Sequence, residues 1–94
     1  MPELAAVRAV AHGYVQGVNF RFFVERHAEL LSLRGYVRNL PSGSEVEVLA
    51  EGGKDALLGF LEQLRVGPRR ARVDKVDVEW REPTGKFSDF RVRF

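Results

Sequence analysis

Across residues 13 to 21, Gly13-Tyr14-Val15-Gln16-Gly17-Val18-Asn19-Phe20-Arg21, the apolar pattern of this chain changes from period two to period 3.6. Before it, Leu4 to His12 alternates, with Ala5, Val7, Ala9 and Ala11 on one face and Arg8, Val10 and His12 on the other, which predicts a first strand. After it, Phe20, Val24, Ala28 and Leu31 recur at helical spacing with His27 on the same side, which predicts a first helix from Phe20 to Leu33. A strand that passes into a helix through two glycines can turn sharply, with several main-chain N–H groups on one side. The helix adds its unpaired N–H groups and positive dipole end, and Arg21 adds a planar charge. Such a turn is a cradle for an anion, and a phosphate suits it.

The turn has neither the Gly-x-x-x-x-Gly-Lys-Ser/Thr nor the Gly-x-Gly-x-x-Gly spacing, so nucleotide triphosphates and dinucleotides gain no support. It resembles instead the signature of the acylphosphatase family, Gly-x-Val-Gln-Gly-Val-x-Phe-Arg: Gly13, Val15, Gln16, Gly17, Val18, Phe20 and Arg21 fill every fixed position. The family's second signature, Gly-x-Val-x-Asn, is matched by Gly35-Tyr36-Val37-Arg38-Asn39, and the chain length is similar to that of the family's domain. The variable slots hold Tyr14 and Asn19. The resemblance implies a phosphate-binding role for Arg21 and a water-positioning role for Asn39.

The remaining pattern supports a single domain over residues 1–94. Gly35 is well placed to end the first helical region and lead into a short strand from Tyr36 to Leu40, with a turn at Pro41-Ser42-Gly43. A third strand turns Val46, Val48 and Ala50 inward and Glu45, Glu47 and Glu51 to water, and Gly52-Gly53 breaks it. Leu57, Phe60, Leu61 and Leu64 predict a second amphipathic helix closed by Gly67-Pro68. A fourth strand spans Arg72 to Trp80, where Val73 is out of phase with Val76, Val78 and Trp80 and so marks a bulge. Pro83, Thr84 and Gly85 turn the chain into a last short strand carrying Phe90, Val92 and Phe94. The order βαββαβ is the split βαβ, ferredoxin-like, α+β arrangement: an antiparallel sheet with both helices on one face and a short extra C-terminal strand.

Composition narrows the functions open to such a domain. Cysteine is absent, which excludes disulfides, thiolate catalysis and sulfur-ligated zinc. His12 and His27 have no third His or Cys and no tight acidic cluster beside them, so neither a metal nor a cofactor is expected. The net charge of +2, from 15 basic and 13 acidic residues, is compatible with an anionic substrate and far from that of a dedicated nucleic-acid binder. No run reaches the roughly 20 apolar residues of a membrane span, so a cytoplasmic protein is expected, and a monomer. Arg65, Arg69, Arg70 and Arg72 read as a solvated loop.

In the split arrangement the first two strands run parallel with the third between them, so the Gly13 to Arg21 turn and Asn39 come to the same sheet edge. N–H groups of Val15, Gln16, Gly17, Val18, Asn19 and Phe20 with the Arg21 fork can hold a phosphoryl group, while the Asn39 amide orients a water for in-line attack. Inorganic phosphate and sulfate would compete for that cradle. An acyl phosphate releases a carboxylate, whose conjugate acid has a pKa of about 4, so no proton donor is required. Two readings from other classes remain. An RNA recognition motif shares the element order, yet the basic-Gly-aromatic run Arg34-Gly35-Tyr36 precedes the hairpin, and the third strand bears glutamates instead of stacking aromatics. A small-ligand regulatory domain would bind without turnover.

Overall fold

A computed structural model describes residues 3–94 as seven elements. They are β1 (Leu4–Tyr14), α1 (Phe20–Leu30), β2 (Arg34–Asn39), β3 (Glu45–Gly53), α2 (Lys54–Val66), β4 (Arg72–Arg81) and β5 (Phe90–Arg93). The five strands form one sheet in the order β4-β1-β3-β2-β5. As the split arrangement requires, β3 lies between β1 and β2 and is antiparallel to both. The sheet is mixed and not purely antiparallel, because β5 pairs parallel with β2 at the far edge.

The core lies between the sheet and the two helices. Val7, Ala9 and Ala11 of β1, Val46, Val48 and Ala50 of β3, and Val37 of β2 meet Phe20, Val24 and Ala28 of α1 and Leu57, Phe60, Leu61 and Leu64 of α2. The alternating alanines of β1 let the helices approach the sheet closely, and the Phe60 and Phe90 rings meet edge-on with centroids 6.2 Å apart. Val73, Val76 and Val78 of β4 pack on the same core. The expected bulge is present: His12 pairs with Lys75 and Gly13 with Val73, so Asp74 is the extra residue.

Several boundaries differ from the sequence pattern, each for a local reason. The first helix stops at Leu30, not Leu33, because Ser32 turns left-handed with φ 57°. The Leu33 N–H then donates to Ala28 O and the Ser32 N–H to Glu29 O, a paired C-terminal closure usually formed with glycine. Gly35, expected to end the helical region, lies inside β2, which begins at Arg34 and stops one residue short of Leu40. There a Cβ would meet Leu49 O at 1.8 Å, so close strand approach is what requires glycine. β1 runs on through Gly13 and Tyr14, which pair with Val73 and Arg72 beyond the bulge. Gly52 and Gly53 are the last residues of β3 and pass directly into α2.

The larger correction concerns the sheet face without helices. Glu47 and Glu51, expected to face water, are only 4% and 8% exposed. Both point to the predicted face, but that face is covered by charged side chains and a loop. Glu47 accepts hydrogen bonds from Arg8 Nε at 2.8 Å, Arg38 Nε at 2.6 Å and the Tyr36 hydroxyl at 3.1 Å. Glu51 accepts from the N–H groups of Thr84 and Gly85 and from the Thr84 hydroxyl. Burial pushes both carboxyls up. For Glu47 the bonds from Arg38, Arg8 and Tyr36 outweigh it, and for Glu51 the Thr84 and Gly85 donors do, so both sit below the usual carboxylate range.

A depressed carboxyl stabilises the fold above its unfolded pKa, and the contribution is lost as pH falls through the folded value. Glu47→Gln is therefore expected to lower stability at pH 7 by about 1–3 kcal/mol. The gap from the unaltered chain should narrow steadily below about pH 4.5. Urea unfolding at pH 7 and at pH 3 checks it, and an equal gap at both values would mean that the buried charge contributes nothing.

Candidate active site

The turn between β1 and α1 is pinned by its own apolar side chains. Val15, Val18 and Phe20 are buried in the core, so the intervening main chain arches over the sheet edge. Gly17 and Asn19 are left-handed, with φ 73° and 66°. Alternation of this kind gathers successive N–H groups on one side of the chain. Among the described residues no main-chain acceptor takes an N–H of Gln16 to Phe20. Asn19 caps α1 without a side-chain bond, and no acidic residue occupies the first turn, so nothing there neutralises the positive helix end.

The turn is also tied to the neighbouring hairpin. Gln16 Nε2 donates to Leu40 O at 2.8 Å and to Glu45 O at 2.9 Å, and the Gly13 N–H donates to Ser44 O at 3.0 Å. These bonds fix the turn against the end of β2, where Asn39 stands on the helix side of the sheet beside Val46. Turn, helix and strand end enclose a pocket of about 130 Å³ lined by Val15, Gly17, Asn19, Phe20, Arg21, Phe22 and Asn39. That is well under the roughly 300–1,000 Å³ of clefts for cofactor-sized ligands, and suits a small oxyanion. Larger grooves of about 350 and 490 Å³ lie beside Trp80.

Two polar side chains in this pocket lack ordinary partners. Asn39 Oδ1 is buried and meets no hydrogen-bond donor among the described residues, an arrangement that costs about 1–3 kcal/mol until filled. Arg21 has no carboxylate within ion-pair distance among the described residues. Its Nη1 donates to Arg93 O at 3.4 Å, and its guanidinium lies 4.6 Å from the centroid of the Phe94 ring. Five of the residues expected at an anion site from the sequence line the pocket along with Asn39. Gln16 and Val18 do not, since the Gln16 amide serves the hairpin and Val18 the core. The Arg93 carbonyl and Phe94 ring left no sequence signal, being more than 70 residues from Arg21. The histidines are elsewhere: His12 sits on the opposite sheet face between Asp77 and Glu45, and His27 packs on Phe23 with ring centroids 4.5 Å apart.

The sequence pattern of the acylphosphatase family matches residues 7–92, which takes in the turn, both helices, Asn39 and all or most of every strand. The chain belongs to the acylphosphatase family. An acylphosphatase of Dehalococcoides mccartyi (strain CBDB1) is 53% identical over 87 residues, covering 93% of this chain and 96% of that protein. The crystal structure of an acylphosphatase from Bacillus subtilis superposes with a TM-score of 0.91 at 34% identity, covering 98% of this chain and all of the other. A second structure, an acylphosphatase from Coxiella burnetii, gives 0.89 at 40% identity, covering 96% and 93%. The ferredoxin-like α+β fold is thus shared with acylphosphatases along almost the whole chain.

Within this acylphosphatase fold the Gln16 amide is the strut between turn and hairpin. Gln16→Ala should remove one of the two donors on each of two main-chain carbonyls, which keep the Gly43 and Leu40 N–H groups, lower stability by about 0.5–1.5 kcal/mol and speed amide exchange at Gly13, where the turn is bonded to Ser44 O. Thermal unfolding and hydrogen exchange measure both, and unchanged exchange at Gly13 would show that the anchors Val15, Val18 and Phe20 hold the turn unaided.

Proposed function

We propose that the chain hydrolyses the carboxyl-phosphate bond of acyl phosphates to a carboxylate and inorganic phosphate. The family and the similarity to proteins named acylphosphatases support the reaction type. The observation that carries the mechanism is that, among the described residues, the buried Asn39 Oδ1 meets no donor and Arg21 of the same small pocket meets no carboxylate. The N–H groups of the Val15 to Phe20 turn and the Arg21 fork hold the phosphoryl oxygens and stabilise the charge that grows on them. Asn39 Oδ1 is an acceptor, so it suits a water O–H and leaves that water's lone pair free for phosphorus. The oxygen is closed to solvent in the structure, so this role requires the amide to turn toward the pocket that Asn39 lines.

The step balances without a protein acid, base or metal. The water oxygen bonds to phosphorus as the bond from phosphorus to the acyl oxygen breaks, and the electron pair departs on a carboxylate. The water proton passes to solvent or to a phosphate oxygen. With a conjugate-acid pKa of about 4 the leaving group needs no protonation, whereas an alkyl phosphate ester would.

Arg21→Ala and Asn39→Ala should then fail differently. The first weakens competitive inhibition by inorganic phosphate as well as turnover, because the fork acts in ground and transition states alike. The second lowers kcat on the order of 100-fold or more while phosphate still binds. Steady-state kinetics on acetyl phosphate, with phosphate as inhibitor, separates the two. A near-normal kcat in Asn39→Ala would remove the water-positioning role.

Neither histidine enters the pocket, so kcat should stay nearly flat between about pH 5 and 8, and EDTA should leave the rate unchanged. His12→Gln and His27→Gln should share that profile. A bell near neutrality abolished by either substitution, or activity lost in EDTA and restored by magnesium, would contradict the proposed chemistry.

A further inference from the structure

One wall of the pocket has no part in holding a phosphoryl group. Phe22 lines it, yet 49% of its surface is exposed. Its neighbours are committed elsewhere: Phe20 is buried in the core, and Phe23 packs on that core and tilts against the His27 ring. The buried stripe of α1 consists of Phe20, Val24 and Ala28, spaced four residues apart, and position 22 falls outside it. Helix packing therefore supplies no reason for an aromatic side chain there. A ring on a pocket wall can bury its open face only against something that enters.

The pocket is small enough that an oxyanion fills it, so the rest of a substrate must leave through its mouth. Phe22 follows Arg21 in the first turn of α1 and borders that exit. Arg21 is the single charged residue in the lining. We propose that Phe22 is the platform for the acyl group and that it favours acyl phosphates with a planar apolar substituent over short ones. This rests on the acyl phosphate hydrolysis proposed above.

The test compares kcat/KM for benzoyl phosphate and acetyl phosphate in the unaltered chain, Phe22→Ala and Phe22→Leu. Taking the benzoyl-to-acetyl ratio across variants cancels the difference in intrinsic reactivity of the two substrates. The ratio should fall about three- to ten-fold in Phe22→Ala, chiefly through a higher KM for benzoyl phosphate, with Phe22→Leu in between. Half-exposed as it is, the side chain can be truncated without opening the core. A ratio indifferent to residue 22, whether both substrates lose equally or neither changes, overturns the platform and leaves the reaction standing. If the unaltered chain releases carboxylate from neither substrate, the reaction and its acyl platform fall together.

Discussion

The pocket depends on the burial of Val15, Val18 and Phe20 beneath a turn whose Gln16 to Phe20 N–H groups meet no main-chain acceptor among the described residues. A free loop would curl to satisfy those donors or take a water at each. Three buried side chains, worth about 1.5–3 kcal/mol apiece, hold the main chain in the open shape instead. The same residues that complete the core over β1 and α1 therefore fix the N–H array above it. In the proposed reaction, packing and anion affinity share one set of anchors.

Asn39 is held by a constraint on the other face of the sheet. It pairs with Val46, and the preceding pair on β2 and β3 is Arg38 with Glu47. Glu47 is also bound by Arg8 of β1, so one buried carboxylate ties together the three central strands. A slip of β2 by one residue would break that cluster and turn Asn39 to the face without helices. Tyr36 reinforces the arrangement: its hydroxyl donates to Glu47, and the Arg93 guanidinium lies 3.9 Å from its ring centroid, which brings β5 into the network. Charge on one face thus sets the register that places an amide on the other.

How much of this the sequence discloses depends on the range of the interactions involved. Period-two and period-3.6 patterns identify the seven elements because each reflects one buried face, and the Gly13 to Arg21 signature locates the turn. The end of α1 is misplaced because the left-handed residue is Ser32, where glycine is the usual marker. The glutamates of β3 are read as wet because alternation reports which face a residue occupies, not what covers that face. Arg8, Tyr36, Arg38 and the Thr84 to Gly85 turn do the covering, and their approach to Glu47 and Glu51 is a matter of tertiary pairing. The Gln16 strut, the orphaned oxygen of Asn39 and the contacts of Arg21 with Arg93 and Phe94 are likewise long-range. The site residues can be named from the motifs, but their unused hydrogen-bonding capacity is visible only in three dimensions.

That unused capacity separates this pocket from an ordinary surface of charged groups. Six of the eleven other arginines are paired: Arg8 and Arg38 with Glu47, Arg65 with Glu62, Arg72 with Asp74, Arg81 with Glu79, Arg91 with Asp89. Arg21 is instead oriented by a carbonyl and an aromatic face, both of which favour its position without cancelling its charge. A carboxylate in their place would have given firmer positioning, but an incoming phosphoryl group would then have to compete with it for the guanidinium and would feel a weaker net field. In the proposed reaction the protein supplies no proton and no nucleophile, so rate enhancement has to come from preorganised charge and a placed water. Asn39 Oδ1, buried without a donor among the described residues, costs stability in the folded chain, and in the proposed reaction the arriving water relieves that cost.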